Sequence, residues 1–275
     1  MKIVLITGAS SGIGYETAQR LARRGCKVYA AARRVELMEP LRKEGIVPVR
    51  LDVCDAESMQ QCVDTVLQAE GHIDVLVNNA GYGYFGAVEN VSDAEARRQL
   101  EVNVFGLAAM CRLVIPAMRK HGSGRIVNTS SIAGRVVLPF GGWYHVSKYS
   151  VEALSDAMRM ELRPFGIEVS MIEPGGIKTD WGIIAADHLQ TSSAGTPYEA
   201  AAMPEADLLD KAYRGKFLSN PVVVARAIER ATLSRRPRAR YRVGRFSCLA
   251  IWIHRLLPTR WWDALLRQFV KIKLR

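Results

Sequence analysis

Tyr144 and Lys148 stand four residues apart in Tyr144-His145-Val146-Ser147-Lys148, within a stretch that reads as helix to about Arg163. That spacing places both side chains on one helical face. A free tyrosine titrates at about pH 10 and is a poor acid–base group at neutrality. An ammonium beside it favours the phenolate and pulls that value down. Ser131 lies thirteen residues before Tyr144, just past an apolar strand, so its hydroxyl could meet the same carbonyl oxygen; Ser130 is the competing hydroxyl. Asn103, in Glu101-Val102-Asn103-Val104, is a polar residue inside an apolar helical pattern. Singly each is ordinary. Together they offer proton transfer at a carbonyl or alcohol oxygen.

A second group could hold a phosphate. Thr7-Gly8-Ala9-Ser10-Ser11-Gly12-Ile13-Gly14 separates the apolar run Ile3–Ile6 from a helical stretch of about Ile13–Arg24 closed by Gly25. Free N–H groups at a helix amino terminus hold a pyrophosphate. Gly8 permits the turn, Gly12 a close phosphate approach, and Gly14 the packing of helix on strand. Ser10, Ser11 and Ile13 complete the candidate cradle; a generic glycine turn is the alternative. The second strand, Lys27–Ala32, ends without the carboxylate that holds a ribose 2′-OH and runs into Arg33 and Arg34. Two guanidinium groups suit a 2′-phosphate and favour NADP(H) over NAD, against a solvated charge pair at a helix start.

These groups need a frame. Short apolar runs at Val49–Leu51, Ile73–Val77, Arg125–Asn128 and Glu168–Ile172 alternate with helical patterns. Such alternation predicts a doubly wound α/β fold, with ligands at the carboxyl ends of parallel strands. Residues 181–220, broken by Pro197 and Pro204, read as a long mobile loop with short helices, a substrate lid. A helix is expected from Pro221 to about Ser234.

The glycine loop, Asn79-Ala80-Gly81, Asn103, Ser131, Tyr144/Lys148 and Pro174-Gly175 together resemble the short-chain dehydrogenase/reductase family, continuously over residues 3–180. The resemblance implies a Rossmann-type sheet of seven strands with helices on both faces. It implies Tyr144 as general acid/base, Lys148 lowering its pKa and binding the nicotinamide ribose, Ser131 polarising the carbonyl, and Asn103 holding a water of the proton relay. Asp52 and Val53 would lie near the adenine, Asn79, Ala80 and Gly81 on the adenosine side. Pro174, Gly175, Ile177 and Thr179 would bracket the nicotinamide. Wording such as Glu173-Pro174-Gly175-Gly176-Ile177-Lys178-Thr179 is similar to hydroxysteroid- and retinol-dehydrogenase-like members. Leu138, Phe140, Trp143, Trp181, Ile183 and Ile184 flank the reactive tyrosine and suggest a lipophilic substrate, with core packing as the alternative.

Of 275 residues, 49% are hydrophobic and 24% charged, which excludes a disordered or collagen-like chain. A single dinucleotide-binding catalytic domain over 1–275 is expected. Five cysteines without a C-x-x-C pair point to a reducing, cytoplasmic setting, and scattered histidines to no metal site. No signal peptide is read at the amino terminus, and no apolar run approaches the ~18 residues of a membrane span. Residues 235–275 hold twelve Arg/Lys and one acid, so the net charge of +11 resides in a tail and the body is neutral. Within that tail Phe246–Ile253 is apolar. Trp261, Trp262, Leu265, Leu266, Phe269 and Val270 recur at helical spacing beside Arg267, Lys271 and Lys273. Residues 245–275 thus read as a basic amphipathic segment touching a membrane, or else closing the substrate cleft or a subunit contact. Nucleic acid is not an expected partner; a homo-oligomer is, by the resemblance. The expected function is NADP(H)-dependent carbonyl–alcohol interconversion. The alternatives are an epimerase or dehydratase, a non-catalytic NADP-binding regulator, and a peripheral membrane protein acting through its tail.

Overall fold

Along β1 (Ile3–Thr7), Ile3 and Leu5 enter one apolar core while Val4 and Ile6 enter another. A strand buried on both faces gives an unbroken apolar run, which is why this one was legible. The computed structural model describes residues 1–245 and 247–270, without the side chains of residues 268–270. Phe246, Lys271, Lys273 and the side chains of Phe269 and Val270, singled out above, lie outside the described residues.

β1 leads through the glycine loop into α1 (Gly12–Arg23), then β2 (Lys27–Ala32), a 3₁₀ segment Val35–Glu44, and β3 (Val47–Arg50). There follow α2 (Ala56–Glu70), β4 (Val75–Asn78), α3 (Asp93–Leu100), a π-helical turn Glu101–Phe105, and α4 (Gly106–His121). β5 (Gly124–Thr129), α5 (Gly142–Leu162) and β6 (Ile167–Pro174) complete the alternating part. The sheet order is β3-β2-β1-β4-β5-β6-β7, parallel throughout, so the chain reverses direction of winding between β1 and β4. Crevices at such a reversal, outside the carboxyl ends of the strands, are where open α/β sheets bind ligands. One core lies under α2, α4 and α5, with Leu5, Leu76, Ile126, Met110, Val114 and Val151. The other lies under α1 and a later helix, with Val4, Ile6, Val77, Ala18 and Leu21.

Two expectations are corrected, and the seventh strand that the resemblance implies is located. Residues 181–220 are no mobile loop: α6 (Asp180–Ser193) and α7 (Glu199–Arg214) pack together as a helical pair. Their buried contacts are small, Ala202 and Ala206 against Leu189, so a weak apolar stripe hid them. The seventh strand follows α8 (Val222–Leu233) and is β7 (Arg240–Val243), whose Arg-Tyr-Arg-Val sequence carries no strand signal of its own. Its charges are answered inside the fold. Fully buried Glu173 pairs with Arg240 at 3.1 Å and Arg242 at 2.9 Å, and Arg240 also reaches Glu152 at 3.3 Å on α5. Part of the basic tail is therefore structural. The second correction is that α3, the π turn and α4 form one continuous 29-residue helix, long and apolar enough by composition to cross a membrane. Here Met110, Cys111, Val114 and Met118 are buried against the sheet. The tail continues as α9 (Ser247–Leu256) and α10 (Thr259–Val270).

Candidate active site

The carboxyl ends of β1, β2, β4, β5 and β6 border a cleft of about 1130 Å³, roofed by α6 and α7. Its phosphate end is the glycine loop. Gly8 has φ +66°, and a Cβ there would lie 2.7 Å from the Ala80 backbone. Gly12, at φ +55°, lines the cleft beside Ser10, Ser11 and Ile13. Gly14 does not line it: a Cβ there would strike the Gly8 carbonyl, so its role is to close helix on loop. Asn79 fixes the loop from β4, its Nδ2 donating to the Gly8 carbonyl at 3.1 Å and to the Thr7 carbonyl at 3.3 Å.

Ala80, Gly81, Asp52 and Val53 continue this wall. The Asp52 carboxylate accepts the Cys54 N–H at 3.0 Å, which sets its orientation. Arg33 and Arg34 line the same end, both exposed, and have no hydrogen bond or ion pair among the described residues. Arg97 and Arg98 join them, residues the sequence reading did not single out. A bare glycine loop at a helix amino terminus, followed by unpaired guanidinium groups, fits a phosphorylated dinucleotide.

The reactive floor is built from β5 and α5. Ser131, the residue that caps the 3₁₀ turn Ile132–Gly134, has its Oγ held by the Ala133 N–H at 3.1 Å and aimed at the Pro174 carbonyl, 3.4 Å away. The same hydroxyl acts to lower the pKa of the Tyr144 phenol, and Ser130 lines the cleft beside it. Ser130 is buried and turned toward Glu152. Tyr144 and Lys148 both line the cleft and both are buried. Lys148 Nζ donates to the Thr129 carbonyl at 3.0 Å and lies 5.8 Å from the centre of the Tyr144 ring. Burial pulls the lysine down to about 8, partly offset by Glu152.

The phenol corrects the expectation. Burial pushes it above its ordinary range, outweighing the Ser131 hydroxyl, which acts the other way. Protein alone therefore keeps Tyr144 protonated, a proton donor rather than a phenolate.

Asn103 is buried and does not line the cleft. The Tyr82 N–H donates to its Oδ1 at 2.8 Å, while its Nδ2 donates to the Tyr82 carbonyl at 2.8 Å and to Ser147 Oγ at 2.9 Å. Its side chain is consumed in tying the strand-end loop to α5, so it acts as a positioning residue rather than a side-chain water ligand. The π turn supplies the extra residue that lets it face inward, and such turns recur at functional sites. His145 is likewise committed. Its Nδ1 meets the Ala133 carbonyl at 3.0 Å and its Nε2 accepts the Leu138 N–H at 2.9 Å, so it is a neutral staple of the loop after Ser131.

Pro174, Gly175, Ile177 and Thr179 lie along the cleft as expected. Of the apolar candidates, Leu138, Trp181 and Ile184 line it, whereas Phe140, Trp143 and Ile183 do not. Phe140 packs under the helical pair instead, in a left-handed conformation at φ +59°. Phe85, Glu205, Leu209 and Tyr213 were missed. The last three recur at every fourth residue of α7, a stripe that periodicity could have found. The histidines are not all scattered: His72, Asp74 and His121 gather at the opposite end of the sheet, with side-chain ligand atoms within 4.8 Å of one another. Asp74 is engaged there by the Ile3 N–H at 2.6 Å.

A family model described as short chain dehydrogenase matches residues 2–187. The chain belongs to the short-chain dehydrogenase family. It is 37% identical over 270 residues to a Helicobacter pylori protein named "Probable short-chain type dehydrogenase/reductase VdlC", covering 98% of this chain and 97% of that one. A short-chain dehydrogenase structure from Streptomyces avermitilis superposes with a TM-score of 0.80 at 30% identity, over 98% of this chain and 97% of its own. An alcohol dehydrogenase from Thermococcus sibiricus, complexed with 5-hydroxy-NADP, gives a TM-score of 0.71 at 28% identity over 89% and 96%. The match to the family model ends inside α6, so the floor of this short-chain dehydrogenase is the shared part and α7 lies beyond it. The protein is an oxidoreductase of that family.

Proposed function

We propose that this oxidoreductase interconverts a carbonyl and a primary or secondary alcohol on a lipophilic substrate, with NADP(H) as its cofactor. The observation that carries the reading is the gathering of Ser131, Tyr144 and Lys148 on one cleft floor, between a glycine loop and an apolar roof. Gly8, Ser10, Ser11, Gly12 and Ile13 would hold the pyrophosphate, with Asp52, Val53, Asn79, Ala80 and Gly81 along the adenosine half. Pro174, Gly175, Ile177 and Thr179 would border the nicotinamide. The cofactor supplies a hydride when bound.

Tyr144 holds the proton that a developing alkoxide takes, and its raised pKa keeps that proton in place until then. Ser131 donates a hydrogen bond to the same oxygen. Lys148, anchored on the Thr129 carbonyl, sets a positive charge beneath the phenol and is placed to bind the nicotinamide ribose. The whole chain acts as one catalytic domain, with residues 181–220, which carry most of α6 and all of α7, as the substrate lid. Trp181, Ile184, Leu189 and Leu209 give that lid an apolar inner face.

Following NADPH absorbance over a panel of ketones, aldehydes, sterols and retinoids, with NADH in parallel, tests the reading. Turnover of none of them, with NADPH bound, rejects it. The cofactor preference rests on Arg33 and Arg34. The double substitution Arg33→Ser/Arg34→Ser is expected to raise KM for NADPH about 10–100-fold, the worth of charge-assisted hydrogen bonds, and to spare NADH.

The tail supports a second property, contact with an anionic membrane surface in the cytoplasm. Leu249, Trp252, Leu256 and Trp261 are exposed, and Arg255, Arg260 and Arg267 lie among them. Trp262 instead turns inward onto His254, and α10 meets α7, so one face of the tail backs the lid. Trp252→Ser/Trp261→Ser is expected to abolish sedimentation with phosphatidylserine vesicles; unchanged sedimentation rejects the contact. Phe105 on the π turn and Val146, Tyr149 and Met160 on α5 are further exposed apolar residues, and favour a homo-oligomer.

A further inference from the structure

At the end of the sheet opposite the cleft, two helices finish beside three side chains that the proposed reaction does not use. α2 closes at Glu70 and Gly71, φ +77°, and His72 follows at once; α4 closes at His121 and Gly122, φ +74°. Asp74 immediately precedes β4. One ligand atom from each of His72, Asp74 and His121 lies within 4.8 Å of the other two. Helices end in unpaired carbonyls and in the negative pole of their dipoles, so a place where two of them finish favours a cation. The last turn of α2 contains no Lys or Arg to provide one. In the last turn of α4, Arg119 is drawn over the Phe165 ring and Lys120 is exposed.

The donors are oriented as metal ligands are. His72 Nδ1 lies 3.1 Å from the Glu70 carbonyl, which only accepts, so in the neutral ring that nitrogen carries the hydrogen. A carbonyl behind the far nitrogen is the usual support of a metal-binding imidazole. Nε2 then turns its lone pair to Asp74 Oδ2, 3.4 Å away. Two acceptors at that distance are bridged by a proton or a metal ion; the third donor, His121, calls for the metal. Donors about 2.0–2.2 Å from a tetrahedral ion stand about 3.3–3.6 Å apart, so the His72–Asp74 pair already spans one edge of such a site. Asp74 is fixed there: its Oδ2 accepts the Ile3 N–H at 2.6 Å, and its own N–H donates to the Ile3 carbonyl at 3.0 Å. The His121 ring stacks on His72 with centroids 4.7 Å apart and is exposed, so turning about its side-chain bonds closes the remaining gap. Lys2 and Arg125 share a small hollow with Asp74 that neither histidine lines. Arg125 donates to the Ala231 and Thr232 carbonyls, and neither cation makes an ion pair with Asp74 among the described residues.

We propose that His72, Asp74 and His121 form a binding site for a divalent metal ion of the Zn²⁺ class, with water in the fourth position. Two imidazoles and one carboxylate suit such an ion, whereas Mg²⁺ and Ca²⁺ take oxygen ligands. The site stands at the amino ends of β1 and β4, and the cleft at the carboxyl ends of the strands. Its role is to clip the end of α4 and the loop after α2 to the start of β1, apart from the reaction.

The test uses the full chain after dialysis against EDTA. Calorimetric titration with ZnCl₂ is expected to show one equivalent per chain, and the melting temperature to rise with Zn²⁺; MgCl₂ is expected to do neither. His121→Ala removes a donor at an exposed position, and His72→Ala removes the oriented one. Each is expected to weaken Zn²⁺ binding by at least about tenfold, the cost of losing even a supporting group, and to abolish the rise in melting temperature. If His72→Ala does not fold, His121→Ala decides. Zn²⁺ held instead by the exposed thiols of Cys54 and Cys248 would survive both substitutions, and that result overturns the proposal. So does an equal response to Mg²⁺, or the absence of Zn²⁺ binding by the unaltered chain. Neither readout involves turnover, so the carbonyl–alcohol reading and the metal site stand or fall separately.

Discussion

The floor and the roof of the cleft are built on opposite terms. On the floor the groups around the phenol are anchored: Ser131 by Ala133, Lys148 by Thr129, Asn103 by Tyr82 and Ser147, His145 by Ala133 and Leu138, although the buried Thr129 and Ser130 hydroxyls beside them have no partner. The roof is two helices whose fully buried apolar contacts are alanines and one leucine, and whose acid facing the cleft, Glu205, has no partner among the described residues. A reacting centre gains from groups fixed before the substrate arrives. A recognition surface gains from groups left for the substrate to satisfy. Substitutions on the floor should therefore strike kcat, and those on the roof KM.

The sharpest attempt to break this contrast is Tyr144→Phe. Removing the proton donor while keeping the ring is expected to lower kcat about 10²–10⁴-fold. NADPH binding, read by fluorescence, should persist, since the glycine loop and Arg33/Arg34 are untouched. A KM effect with kcat preserved would dissolve the distinction.

Next in size is Glu173→Gln, directed at what makes the floor rigid. This fully buried carboxylate ties Arg135, Arg240 and Arg242 together immediately before Pro174-Gly175. Taking one charge from a buried network is expected to cost about 3 kcal/mol in chemical denaturation. A loss within the ordinary range of a surface substitution would mean that β7 is held by backbone pairing alone.

A smaller effect separates the two ionisable members of the floor. Lys148 titrates at about 8, whereas Tyr144 keeps its proton well beyond that. The lysine is cationic below its pKa and neutral above it, so the charge that favours a departing phenolic proton is present at low pH and lost as pH rises. Carbonyl reduction, followed as kcat/KM, is expected to be flat below about pH 8 and to fall several-fold above it. In Lys148→Met that limb should be absent and the whole profile low. A limb that survives belongs to another group.

The same contrast governs what the sequence disclosed. The floor was legible because its residues sit at the ends of buried strands, which announce themselves as apolar runs, and its spacings are fixed by one helical turn or one loop. The sheet was legible for six strands and failed at β7, where Arg240 and Arg242 look like a solvated segment until Glu173 is brought beneath them across the fold. The phenol's shift was misjudged in sign because spacing shows which charge is near and not how much water is removed. Asn103 was singled out, but its partners on Tyr82 depend on a π turn that has no local signature. The roof was read as a lid with short helices, but its two long helices were not, because a pair packed on Ala202 and Ala206 has a weak apolar stripe.

Gly182→Ala probes the roof with the smallest expected change. A Cβ at this position of α6 would fall on the Tyr213 ring of α7, so the absence of a side chain is what lets that ring pack where it does. The alanine must turn Tyr213 or part the two helices, and either motion reshapes the wall that carries Glu205 and Leu209. Overpacking of this kind costs about 1–3 kcal/mol locally. The alanine itself suits a helix better than glycine, so part of that cost is returned. KM for the carbonyl substrate is expected to rise several-fold while kcat, set by Ser131, Tyr144 and Lys148, stays within about twofold. NADPH affinity should not move, since α7 stands away from the glycine loop. A fall in kcat with KM unaltered would mean that Tyr213, beside Trp181 and Tyr144, helps to hold the phenol, and the boundary between floor and roof would then run through α7 instead of beneath it.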